Sequence, residues 1–347
     1  MAAPGVLMTS SGHLAGIGNF RGAIQTPAPA LSHSSPRINY RCRLPLSGEH
    51  GVQAVNIDEI FTSYTDKVRD VQRFRWLSEG AAKNEYRALL DMESSSKTQG
   101  REHRPVSMQA VRFRSARSGK SLLYGFHELT TADRVAALRK HTNRQRQWFL
   151  VEVYEFFEEF LKYAYSFMGI REPARWTSKD RDGLPTEATA SMDWRWFLTR
   201  ARAKTDLPQS VLKQFHSEFP RLKEVESKNQ LRVNLFVVAL LVAQMRHHIV
   251  HARGLVADAE AFARKALSKS GFSGETLNLH TEFIKNELSL DSDGAILLLN
   301  VPATGTPPIL QVTYDMFDSL VDKLLAYARE ISIELGYIPP GDVPTSE

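Results

Sequence analysis

The chain of 347 residues, 42% of them hydrophobic, carries a net charge of +5 from 44 Lys and Arg against 39 Asp and Glu, which fits one large or two ordinary globular domains with ample core. Cys42 is the only cysteine, so an internal disulfide and a cysteine-based zinc site are excluded. The longest purely apolar run, residues 235–243, falls short of the about 20 residues a bilayer crossing needs, and a soluble, cytoplasmic protein is expected.

Residues 1–48 hold no Asp or Glu but carry Arg21, Arg37, Arg41 and Arg43 among Ala, Ser, Gly and the prolines 27, 29, 36 and 45. That composition predicts a disordered basic leader over 1–55. It fits a transit peptide as well as the plainer reading, a tail without function. From Asn56 the spacing of Ile60, Tyr64, Val68, Val71, Phe74 and Leu77 predicts a helix to about residue 90, with Gly80 as a break. A polar loop is expected over 93–104. Residues 109–113 alternate apolar and charged side chains and predict a short strand paired with 122–126. Arg101, Arg104, Arg112, Arg114, Arg117 and Lys120 face Glu102 alone between positions 101 and 120. Such a cluster attracts polyanions, which makes Arg112, Arg114, Arg117 and Lys120 candidate RNA-binding residues; a solvated basic face is the bland alternative. The whole of 56–128 reads as an N-terminal α+β extension with no evident role.

A second helix is expected over 131–168, capped by Thr131 without a full capping box because Arg134 stands at the third position. Its stripe of Phe149, Val153, Phe156, Phe160, Tyr163 and Phe167 reads as core rather than as a platform for bases, and Gly169 as its stop. Residues 170–207 form a polar connection in which Trp194-Arg195-Trp196-Phe197 packs back on the bundle. A helix from Pro208 to about 228, broken at Pro220, comes next. Residues 231–255 form a central helix apolar almost all the way round, ending at the natural cap Gly254; it needs partners on more than one side. A helix over 257–270, a hairpin of 295–300 with 309–313, and a last amphipathic helix over 314–336 complete the pattern. The expected fold is mainly α: an up-and-down bundle with a small β-hairpin before the last helix.

Near the end of the central helix stands Arg246-His247-His248-Ile249-Val250-His251. A guanidinium matches two phosphate oxygens with its fork of N–H donors, and an imidazole takes or gives a proton near neutrality. These two functions suffice for phosphodiester cleavage when the substrate supplies its own nucleophile, as the 2′-OH of RNA does. On an ideal helix Arg246 and His251 point about 140° apart, so one helix does not carry both to one phosphate. Two other readings compete. His247 and His251, at i and i+4, have the spacing of a shared metal with His280 as third ligand, although His248 stands where zinc proteases hold Glu. Alternatively, the histidines only hydrogen-bond across an interface. Gly119-Lys120-Ser121 is no P-loop, because Arg114 occupies the place of its leading glycine.

An arginine, a polar residue, three further positions and a histidine late in an apolar helix resemble the R-x4-6-H motif of the HEPN superfamily. Arg246 matches its arginine, His247 the polar position where Asn is commoner, and His251 its histidine. The resemblance extends over 129–338 through the order of the helices. It implies a HEPN-like helical domain, a homodimer with a composite cleft, and a metal-independent endoribonuclease without cofactor that leaves a 2′,3′-cyclic phosphate. Arg246 would grip the phosphate, His251 act as general base or acid, and His247 assist. It further implies a toxin or phage-defence effector held by an antitoxin or regulatory protein; the alternative is a non-catalytic HEPN-like RNA-binding or interaction module.

Overall fold

A computed structural model describes residues 56–98, 107–302 and 313–339. The leader expected over 1–55, Arg101 and Arg104, most of the second strand expected at 309–313, and the tail past 339 lie outside the described residues.

Two long helices, α1 (Ile57–Thr98) and α2 (Thr131–Arg171), lie side by side. Their pairing is antiparallel: Phe61 and Tyr64 meet Phe160, Arg146 binds Glu79, and Arg134 binds Glu85. On α1 the buried positions Ile57, Ile60, Tyr64, Val68 and Val71 belong to the main core, so this helix is part of the bundle. The expected stripe ends there. Phe74 and Leu77 are exposed, and the next buried position is Arg75. Gly80 does not break α1, and the helix continues through the loop expected at 93–98. A helical glycine costs roughly 1 kcal/mol; packing on α2 and the hold of Arg75 and Arg146 on Glu79 offset it.

At the far end of this pair, β1 (Ser107–Arg114) and β2 (Ser121–Leu129) form the expected antiparallel hairpin. The cap of α2 is Thr130, not Thr131: its hydroxyl accepts from the Asp133 backbone while Asp133 reaches back, closing a full capping box. Gly169 does not stop the helix either. A Cβ there would sit 2.4 Å from Trp176 and 2.7 Å from Phe197, so the glycine admits two rings, and α2 ends only before Pro173. The buried face of α2 runs through Leu150, Val153, Tyr154, Phe157, Phe160, Leu161, Ala164, Tyr165 and Met168. Phe149, Phe156, Tyr163 and Phe167 flank it half-buried, so the expected stripe is core but rotated toward its edge.

The connection that follows holds a single turn at Pro173–Arg175, the short α3 (Thr186–Thr189), and α4 (Trp194–Ala203). Trp194 and Phe197 pack inward as expected. Helices α5 (Gln209–Glu218) and α6 (Pro220–Ser227) meet at the predicted proline break. The central helix α7 (Leu235–His251) begins four residues later than expected, because the Asn234 side chain caps it by accepting from the Val237 N–H. It packs against α2, α6, α8 (Ala259–Leu267), α9 (Gly274–Glu287) and α10 (Met316–Glu334), which accounts for its apolar girth within one chain. Helix α9 was not anticipated. Residues 295–298 do not belong to the second hairpin: Asn143 and Gln147 donate to the Ile296 carbonyl, and Asn143 accepts from the Leu298 N–H, stapling the segment to α2. The hairpin itself pairs β3 (Asn300–Pro302) with β4 (Thr313–Asp315).

Candidate functional site

The last two turns of α7 carry the Arg-His cluster, and the way the helix ends fixes its geometry. Gly254, at φ +79°, turns the chain so that its N–H donates to the His248 carbonyl at 2.8 Å, the left-handed helix stop that favours glycine. The His248 ring is drawn into that turn: Nδ1–H donates to the Leu255 carbonyl at 2.9 Å, and the ring edge meets Phe262. Since a carbonyl only accepts, this bond requires the proton on Nδ1. His248 is thereby a structural member of the cluster.

His247 and His251 are both exposed and lie one over the other with ring centroids 4.8 Å apart, as i and i+4 on one helical face should. Arg246 points toward α2, where its guanidinium meets the Glu155 carboxylate at 3.1 Å. Arg246 and His247 line one cavity of about 330 Å³ between α2, α7 and α8, together with Tyr154, Gln244, Lys265 and Lys269. His251 is not on its wall. Within one chain, then, Arg246 shares a cavity with His247, the His247 ring lies tilted against that of His251, and the angular separation read from the helix repeat persists.

Partial burial, followed by the charge of Lys265 and of the neighbouring histidines and Arg246, holds His247 below its ordinary value of 6.5. Its neutral form therefore prevails at neutral pH. His280 lies on α9 against Phe272 and is lowered by burial. Among the described residues no group of three or more His, Cys, Asp and Glu is placed to hold a metal ion, so the metal set of His247, His251 and His280 is not assembled.

Arg112, Arg114, Arg117 and Lys120 are all exposed on the first hairpin. They do not approach the α7 cluster, since the span of α2 from Thr131 to Tyr154 is about 35 Å at the helical rise. The register places Val111, Phe113, Leu122 and Tyr124 on one face of the ribbon and Arg112 and Arg114 on the other. Sequence reasoning missed Tyr154, Glu155, Gln244, Lys265 and Lys269. The glutamate was legible as part of a solvated face; the others carry no local signal, because α8 and α2 meet α7 only in three dimensions.

Compared with family models, curated proteins and solved structures, the chain matches none.

Proposed function

We propose that this chain is a metal-independent endoribonuclease of the HEPN type, with a HEPN-like helical bundle, working as a homodimer. The observation that carries the reading is the cluster at the end of α7: a guanidinium and two adjacent, solvent-facing imidazoles beside a polar, charged cavity. Imidazoles placed only for structure would be tied down as His248 is; His247 and His251 are not.

In this mechanism the 2′-oxygen of the ribose attacks the adjacent phosphorus, the bond from phosphorus to the 5′-oxygen breaks, and no water enters. His247, neutral at pH 7, takes the 2′-OH proton. His251, as general acid, gives one to the departing 5′-oxygen, and Arg246 neutralises the charge that builds on the phosphate. The products are a 2′,3′-cyclic phosphate and a 5′-hydroxyl. Because Arg246 and His251 diverge on one helix, a second α7 set against the first completes the cleft, and symmetry makes such a contact self-complementary. The basic hairpin, which precedes the N-terminal end of α2, holds the RNA backbone away from the cut.

The second reading, a non-catalytic RNA-binding or interaction module, has one observation in its favour: the Arg246–Glu155 ion pair occupies the guanidinium. The pair is half-exposed, and exposed pairs are worth about 0–1 kcal/mol, so a phosphate displaces it readily. RNA cleavage assayed in EDTA separates the two readings. Cutting that survives the chelator and disappears in His251→Ala supports the nuclease; RNA binding without cutting supports the module.

A further inference from the structure

The cavity beside the cluster has a polar floor that is only partly satisfied. Gln244 is 7% exposed, yet its Nε2 has no hydrogen-bond partner, and the hydroxyl of Tyr154, 1% exposed, has only the Glu158 carboxylate beside it. Both line the cavity with Arg246 and His247. Leaving a buried polar group unpaired costs roughly 1–3 kcal/mol. The unpaired Gln244 amide on this wall marks a space that something polar fills. Burial, then the charge of Glu158 and a hydrogen bond to it, raises the Tyr154 hydroxyl well above its ordinary value, so it keeps its proton.

Size and charge narrow the occupant. A volume of about 330 Å³ lies at the small end of ligand sites, which span roughly 300–1,000 Å³: room for a single nucleobase with part of its ribose. The lining carries Arg246, Lys265 and Lys269 but also the carboxylates of Glu158 and Asp206, and the floor offers an amide and a hydroxyl beside the Glu158 carboxylate. An inorganic anion has no use for such a floor. A flat heterocycle edged with donors and acceptors does.

We propose that this cavity is a base-reading subsite: it takes the nucleobase of the nucleotide whose phosphate rests on Arg246 and His247, with Tyr154 and Gln244 hydrogen-bonding its edge. This rests on the ribonuclease reading for the placement of the phosphate and adds to it a source of sequence preference. Neither floor residue reaches a reacting atom; both are specificity-determining.

The test uses uncleavable ligands, so that it does not depend on catalysis. Four uniform 2′-O-methyl hexanucleotides, one per base, are titrated into the full chain by fluorescence anisotropy. Wild type is expected to prefer one base by about tenfold, one good hydrogen bond's worth, and Tyr154→Phe and Gln244→Leu each to lose most of that preference while binding of the disfavoured oligomers is unchanged. The melting temperature of Gln244→Leu is expected to equal or exceed that of wild type, since an apolar replacement of an unpaired group is neutral or stabilising, and that of Tyr154→Phe to stay close to it. Equal binding of all four oligomers, an undiminished preference in both variants, no binding at all, or a marked fall in melting temperature would each overturn the assignment. Base-selective binding without RNA cleavage would sink the nuclease reading alone; cleavage without base selectivity would sink this one alone.

Discussion

Under the proposed ribonuclease mechanism, His247 sets the expected response of activity to pH. It works as a base only when neutral, and its lowered proton affinity keeps it neutral further into acid than an ordinary histidine. The acid limb of the pH–rate profile for RNA cleavage is therefore expected at a midpoint below 6.5; a limb at or above that value would remove His247 from the base role. Arg246→Ala and His251→Ala are each expected to lower the rate by about 10²–10⁴, the usual worth of a proton-transfer or charge-stabilising group, with circular dichroism unchanged because both side chains reach solvent. The sequence was informative here. Residue types and spacing pointed to phosphate chemistry, and the divergence of Arg246 from His251 follows from the helical repeat. The division of labour was not legible: only the αL turn at Gly254 ties down His248 and leaves His247 and His251 free.

Among the elements, glycines were read by their local habit and served a tertiary purpose. Gly169 looks like a helix stop in a one-dimensional pattern; in the fold it is where Trp176 and Phe197 press on α2. Gly169→Ala is expected to destabilise by about 1–3 kcal/mol, the cost of overpacking, in urea denaturation. Gly254→Ala, forced into the left-handed region, should cost about 1–2 kcal/mol and also loosen the cluster. Another buried arrangement was invisible in the sequence because its members are remote along the chain. Arg75 and Arg146, each under 10% exposed, share Asp315, with Glu79 and Asp318 completing the group. Burial pushes the Asp318 carboxyl up even beside these arginines. Asp315→Ala leaves two guanidiniums short of a partner and removes the α10 cap. Breaking a buried ion pair costs about 3–5 kcal/mol, and urea denaturation should report a loss of that size; a change under 1 kcal/mol would show that the cluster is not holding α1, α2 and α10 together. Most helices were legible from apolar periodicity. Helix α9, with only Thr281 and Ile284 buried, has too thin a stripe to announce itself.

Considered whole, the molecule sets a chemical cluster beside the middle of α2 and a basic, partly apolar ribbon before its N-terminal end, joined by a helix. Long RNA should bridge them. Replacing Arg112, Arg114, Arg117 and Lys120 together by alanine is expected to weaken binding evenly across sequences and to reduce the slope of log K against log salt by about 0.7 per lost phosphate contact on single strands. An unchanged slope would free the ribbon from that role. No helix among the described residues is long and apolar enough to cross a membrane, and the bundle accommodates the apolar girth of α7 by itself. The claim that two copies complete one cleft therefore rests on the geometry of Arg246 and His251 rather than on an exposed apolar face. The most direct measurement is cleavage of a defined single-stranded RNA by the purified chain in EDTA, with end groups identified by mass spectrometry. The account predicts 2′,3′-cyclic phosphate and 5′-hydroxyl ends, no cut at a position carrying a 2′-deoxyribose, and no products from His251→Ala. Products with 5′-phosphate ends, or cutting that persists at the 2′-deoxy position, would contradict it.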